Sequence, residues 1–420
     1  MDSEIKSVEA REILSASDSP TIEVEITLED GTNEKASVPF GTSSGSYEAV
    51  TMIDNDPKRY GGQGMLKAVE NIENIISPEV IGMDSLNQKL LDEKLLSLDP
   101  TARKEDLGGN SLLSVSLAVA RSASKYKNIP LYQHLREVYK MESNLGSMPK
   151  PMMVLMEGGV HADNATDFQE YLLAVTYDAN TADCVRVGAE IYKTLGKILD
   201  ENGFDINVGL EGAYAAVNMK SNTDPIEYIR RAIEQSGYNF GSDANIALDI
   251  ASSEFFKDQK YNFSTENLEL NSDELLKYYI ELVEKYHVFS IEDPFFEDDW
   301  EAWRIMFENL GDKIKIVGDD LTVTQVSRLQ KAIDSKAINS IIIKPNQVGT
   351  LTETMETIML AKSHGIDLIV SHRGGGETTD TFIIDLAVSV GAKYVKVGPS
   401  RGERTIKYNR LMEIGKELAL

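Results

Sequence analysis

In the C-terminal half of the chain, short apolar runs end one after another in a polar or charged residue. The first is Ile246-Ala-Leu-Asp249. Val288-Phe-Ser-Ile-Glu292, Ile314-Lys-Ile-Val-Gly-Asp319, Ile341-Ile-Ile-Lys344, Leu368-Ile-Val-Ser-His372 and Tyr394-Val-Lys396 follow. From Glu292 onward these end residues recur every 24 to 28 residues. Each interval holds a loop and a helix-patterned stretch, which is the beat of strand–helix units. The first gap is longer because a polar excursion, Lys257 to Asn271, precedes its helix. Near-continuous Ile, Val and Leu suits parallel strands buried on both faces. Packing does not call for an ionisable group at the last position, and burying one unpaired is costly. In a closed (β/α)8 barrel the strand C-termini meet at one mouth, where active sites form. Asp249, Glu292, Asp319, Lys344, His372 and Lys396 are therefore expected to converge there.

The first half reads differently. Residues 20–29 alternate apolar and polar, Asp30-Gly31 makes a turn, and Lys35 to Pro39 returns. With Ile5 to Leu14 they predict an antiparallel meander. Helices are expected over 65–76, 84–97, 109–125 and 130–139, with Asn110 as the cap of the third. Residues 1–140 thus read as a small α+β domain that caps a barrel over 141–420. Ser143 to Pro151 reads as the linker. The barrel opens with Met152 to Met156 and Phe168 to Val175, an antiparallel pair. Helices follow at 179–200 and 225–236. Phe40 to Ser46 and Tyr60 to Gly64 are runs of small residues, read from composition as plain loops.

The net charge of −26 argues against nucleic acid or an anionic membrane surface as partner. One cysteine, Cys184, leaves no intramolecular disulfide and fits a reducing cytoplasm. The N-terminal stretch lacks the basic start and apolar centre of a signal peptide, and no apolar run nears the length of a bilayer span.

Asp249, Glu292 and Asp319 make a hard oxygen-ligand set that suits magnesium. Lys344 and Lys396 face them from later strands. A lysine near a divalent cation and a second lysine can lose its proton near neutral pH and serve as a base; the alternative is a salt bridge to one of the acids. Arg373 and the glycines after it suit a phosphate or carboxylate. Glu170 and Glu211, with Gln169 and His161, offer a second pole for acid work. A base on one side, a cation between and acids on the other suit proton removal next to a carboxylate, followed by acid-assisted loss of a leaving group.

At these residues the chain resembles the enolase family over almost its whole length. The likeness runs through Ala10-Arg-Glu-Ile-Leu, Gly158-Gly-Val-His161-Ala-Asp-Asn, Asp167-Phe-Gln169-Glu170, Ala247-Leu-Asp249-Ile-Ala-Ser-Ser-Glu, Ser290-Ile-Glu292-Asp-Pro-Phe, Val317-Gly-Asp319-Asp, Ile343-Lys344-Pro-Asn-Gln and Val370-Ser-His372-Arg373. The resemblance implies a TIM-like barrel behind an α+β cap. It implies dehydration of 2-phospho-D-glycerate to phosphoenolpyruvate, a step of glycolysis and gluconeogenesis. Asp249, Glu292 and Asp319 would bind a first magnesium ion, and Ser43 a second when its loop closes. Lys344 would take the C2 proton. Glu211, with Glu170, would assist departure of the 3-hydroxyl. Lys396 would hold the substrate carboxylate and Arg373 the phosphate, while His161, His372, Gln169 and Gly374 would line the pocket. A homodimer in the cytoplasm is implied as well.

The chain departs from the family pattern in places. Ser15-Ala-Ser17-Asp-Ser-Pro20 stands where Asp-Ser-Arg-Gly-Asn-Pro is usual. Phe40 replaces the first serine of the loop Pro-Ser-Gly-Ala-Ser-Thr-Gly. Glu157 replaces an asparagine, and Leu210 an acid beside Glu211. His372-Arg373-Gly374-Gly-Gly-Glu377 has one residue more than His-Arg-Ser-Gly-Glu, and Gly398-Pro-Ser400 is one shorter than Gly-Ala-Pro-Ser. These changes fall where phosphate and leaving group would sit. They leave two other readings in play: a lyase of the same superfamily on a different carboxylate, and a non-catalytic paralogue without magnesium dependence.

Overall fold

The computed structural model describes residues 2–41, 45–141, 147–163 and 165–420. Ser43 and residues 143–146 of the expected linker lie outside the described residues. Strands β1 (Ile5–Leu14), β2 (Pro20–Leu28) and β3 (Asn33–Ser37) form the expected antiparallel meander. In β2 every second residue is fully buried, so alternation in the sequence has become one covered face. Helix Gly109–Tyr126 lies against that face, buried almost all round. Asn110 is not its cap. Its amide instead brackets the Met52 backbone, accepting from Met52 N–H at 2.9 Å and donating to the Met52 carbonyl at 3.2 Å.

Eight strands close a barrel. They are β4 (Lys150–Glu157), β5 (Glu170–Val175) and β6 (Ala244–Asp249), then β10 (Ser290–Glu292), β11 (Lys315–Gly318), β12 (Ser340–Ile343), β13 (Asp367–Ser371) and β14 (Tyr394–Val397). β14 returns to pair with β4 in parallel. Only β5 runs against its neighbours, as the sequence pattern foretold. The polar excursion is more than a loop. It folds into β7 (Phe256–Lys257), β8 (Lys260–Phe263) and β9 (Leu268–Leu270), a small antiparallel sheet. The Asn271 side chain then caps helix Ser272–Tyr286, and Glu274 returns the bond.

Below the mouth the barrel is filled by side chains from alternate strands, among them Met152, Leu172, Ala247, Val317, Ile342 and Ile369. The outer core is continuous from the meander through the ring of helices. The two parts of the chain are joined by buried polar contacts as well. Asp92 Oδ2 accepts from Thr352 N–H at 2.9 Å and from its hydroxyl at 2.6 Å, at the first turn of helix Leu351–Ser363. The Ala49 N–H donates to the Gln347 carbonyl at 2.9 Å. No helix among the described residues is long and apolar enough to cross a membrane.

Candidate active site

Strand register builds the site. Glu157 on β4 pairs with Glu170 on β5, Glu170 with Asp249 on β6, and Asp249 with Glu292 on β10. Four carboxyls thus stand in one row across four adjacent strands at the mouth. Asp319, Lys344 and His372 each follow the last residue of their strand, and Lys396 sits one place before the end of β14. Of the described site residues singled out in the sequence, all but Glu292 line one cavity. Glu292 reaches the same lysine as its neighbours.

That lysine is Lys396. Its Nζ lies 2.7 Å from Glu292 Oε1, 2.9 Å from Asp249 Oδ2 and 3.0 Å from Glu170 Oε2. Burial opposes its charge, but Asp249, Glu170 and Glu292 together push its pKa well above the ordinary lysine value. Lys344 is ion-paired with Asp319. The Gln347 amide donates to the other Asp319 oxygen at 2.8 Å. The salt bridge left open as an alternative for Lys344 is therefore formed. Burial lowers its basicity, Asp319 more than restores it, and the net shift is upward.

The sequence reading missed the second row of acids. Asp293 and Asp320 directly follow Glu292 and Asp319, and their ligand oxygens lie within 4.8 Å of one another and of Asp319. Asp293 accepts the N–H groups of Asp319 and Asp320 at 3.0 and 2.8 Å. Burial first, then the neighbouring carboxylates, push Glu292, Asp293 and Asp320 well above the usual carboxylate range. The doubled acids Glu292-Asp293 and Asp319-Asp320 were the available signal.

Past Glu170, Glu211 is fully buried between two imidazoles. Its Oε1 is 3.3 Å from His161 Nδ1, and its Oε2 is 3.1 Å from His372 Nε2. His161 Nδ1 also lies 3.5 Å from Glu170 Oε1. Burial would raise the Glu211 pKa, yet His372 and His161 hold it well below the ordinary value. Glu170 goes the other way, to about 7, through burial and the Glu211 charge. Two carboxyls of one site are pushed apart, the pattern that divides acid from carboxylate roles. Glu157 supports this pole. It accepts from Glu211 N–H at 3.0 Å and from Ala213 N–H at 2.7 Å, and so shapes the turn that presents Glu211.

Arg373 has Nη1 2.6 Å from Glu48 Oε2, an acid from the N-terminal part with no local signal in the sequence. Gly374 admits no side chain. A Cβ there would lie 1.8 Å from Glu211 Oε1. Gln169 Oε1 has no hydrogen-bond partner among the described residues. Gln169 is part of the cavity lining.

Two family models match the chain. "Enolase, N-terminal domain" covers residues 5–135, and "Enolase, C-terminal TIM barrel domain" covers residues 146–420.

Proposed function

Since the chain belongs to the enolase family, whose domains make it a lyase of that superfamily, we propose that it dehydrates 2-phospho-D-glycerate to phosphoenolpyruvate. The observation that carries this is a pair of buried groups in one cavity, linked through Glu170. Lys344 and Lys396 stand among acids in one, and Glu211 stands between His161 and His372 in the other.

The donor set fits a divalent cation. Glu170, Asp249, Glu292, Asp293, Asp319 and Asp320 crowd around Lys344 and Lys396, and burial leaves Glu292, Asp293 and Asp320 reluctant to ionise. That surplus of acid is what magnesium would balance. Asp249, Glu292 and Asp319 would hold the ion, and Ser43 a second one. When bound, magnesium would supply positive charge against the charge that builds on the substrate carboxylate.

The chain's own groups would do the rest. Lys344 takes the proton from the α-carbon. This requires the Asp319 charge that now keeps Lys344 protonated to be engaged elsewhere. Lys396 and Arg373 hold the two anionic ends of the substrate. Glu211, with Glu170 beside it, assists departure of the hydroxyl, and His161 and His372 keep Glu211 in place. Phosphate-bearing substrate, a homodimer and a cytoplasmic setting belong to the same proposal.

The test is direct. Purified protein with magnesium and 2-phosphoglycerate should form an enolpyruvate that absorbs in the near ultraviolet. No product at any pH tested rejects the proposal. The second reading, a superfamily lyase on another carboxylate, draws on the Gly374–Glu211 contact. Glu211 fills the space a side chain at the phosphate-side position 374 would need. Solvent-deuterium exchange on a panel of 2-hydroxy and 2-amino acids separates the two.

A further inference from the structure

One buried acid next to the leaving-group pole has no part in the reaction as proposed. Glu377 has Oε1 against His372 Nδ1 and 3.1 Å from Arg404 Nε, and Oε2 2.6 Å from Lys407 Nζ. On the far side of the ring, His372 Nε2 faces Glu211. An imidazole thus stands between two carboxylates. A neutral ring has a single N–H and cannot donate to both. Either the ring carries two protons or one carboxyl carries the second. Glu377 is the wrong place for it. Burial favours its neutral form, yet His372, Lys407 and Arg404 hold it down to about 2. The spare proton then belongs to His372 Nε2 or to Glu211 Oε2, which stand 3.1 Å apart.

The loop that carries Glu377 is fastened from the N-terminal part. The Phe40 N–H donates to the Gly376 carbonyl at 2.8 Å, and the Ala16 N–H donates to the Glu377 carbonyl at 2.7 Å. A Cβ on Gly376 would sit 1.7 Å from the Phe40 oxygen, so only glycine allows this approach. Ala16, Phe40 and the longer glycine loop are three of the departures from the family pattern noted in the sequence. In the fold they form one contact. Arg404 adds a brace, because it also donates to the Leu210 carbonyl at 2.9 Å, beside Glu211.

We infer that Glu377 is a positioning residue for this site. It holds the Nδ1–H of His372, and so commits the Nε2 proton of that ring to Glu211. The consequence for turnover rests on the dehydratase reading. The Nε2 proton of His372 moves to Glu211, which passes a proton to the departing oxygen as the C–O bond breaks; the oxygen leaves as water, and solvent later restores the ring. Glu377 stays ionised throughout. The charged groups facing His372 are Glu377 from its own loop and Glu211 from the turn after Val208. Behind them stand His161 on Glu211, and Arg404 and Lys407 on Glu377. Against burial, the two acids raise His372 to about 9.

The test reads the ring itself. Histidine-15N NMR of the whole protein without substrate, with His372 assigned by its loss in His372→Asn, gives its tautomer and titration midpoint. In Glu377→Ala the midpoint should fall by about one pH unit or more and the Nδ1–H preference should vanish. In Glu377→Gln, which keeps an acceptor oxygen, the midpoint should fall while Nδ1–H persists. This variant decides the matter if Glu377→Ala does not fold. An unchanged midpoint and tautomer in a folded variant overturn the inference. In the turnover arm, Glu377→Ala should lower kcat by on the order of 10²-fold with KM little changed, and move the alkaline limb of kcat to lower pH. Exchange at the α-carbon should persist. If the unaltered protein does not turn over 2-phosphoglycerate, the dehydratase reading fails, and the NMR arm still decides the role of Glu377.

Discussion

Arg373 and Glu48 form a buried ion pair at 2.6 Å that joins the N-terminal part of the chain to the rim of the barrel. Removing one partner of such a pair strands the other charge away from water. Glu48→Ala should therefore destabilise the protein by about 3–5 kcal/mol. Glu48→Gln, which keeps an acceptor for the guanidinium, should cost much less. Urea unfolding of both variants checks this, and equal losses would show that the charge is not what matters.

Glu157 should give the stability a slope with pH. Burial and the Glu211 charge raise its pKa to about 8, above its value in the unfolded chain. The folded state then binds the extra proton in that window. Its contribution is complete below the unfolded value near 4.5 and is lost as pH rises through about 8. Glu157→Gln keeps an acceptor for the Glu211 and Ala213 N–H groups and removes the titration. Its stability should fall less between pH 5 and pH 8 than that of the unaltered protein, in urea unfolding across that range. Parallel curves would contradict the assignment.

Magnesium should stabilise the fold. At about a hundred times its dissociation constant a bound ligand contributes roughly 2.7 kcal/mol. The thermal midpoint should rise with added magnesium and return to baseline with a chelator. Asp249→Asn should remove most of the rise. A rise of full size in that variant would take Asp249 out of the ligand set.

Much of this site was legible because a barrel strand ends where its last side chain matters. Asp249, Glu292, Asp319, Lys344, His372 and Lys396 could be read from apolar runs alone, since period and length fix which strand end each occupies. The row Glu157–Glu170–Asp249–Glu292 was not legible. It depends on register across β4 to β10, and a one-residue slip would aim every side chain the other way. Glu48 and Glu377 were invisible for a related reason. Each is one acid among many in a charged chain, and only the folded contacts with Arg373, and with His372, Arg404 and Lys407, distinguish them. Asn110 misled because an asparagine at a helix start is a common cap, whereas here the nearby Met52 backbone competes for its amide. The excursion between Lys257 and Asn271 hid its strands because each is only two to four residues long, too short for a pattern of alternation to show.

The central claim is that Lys344 strips a proton from carbon at this rim while Asp249, Glu292 and Asp319 hold a cation. Proton NMR of 2-phosphoglycerate in deuterium oxide follows that step without requiring the hydroxyl to leave. The α-hydrogen should wash out with magnesium present, stop with a chelator, and stop in Lys344→Ala although calorimetry still shows magnesium binding. Continued wash-out in Lys344→Ala, or in the chelated protein, would contradict the account.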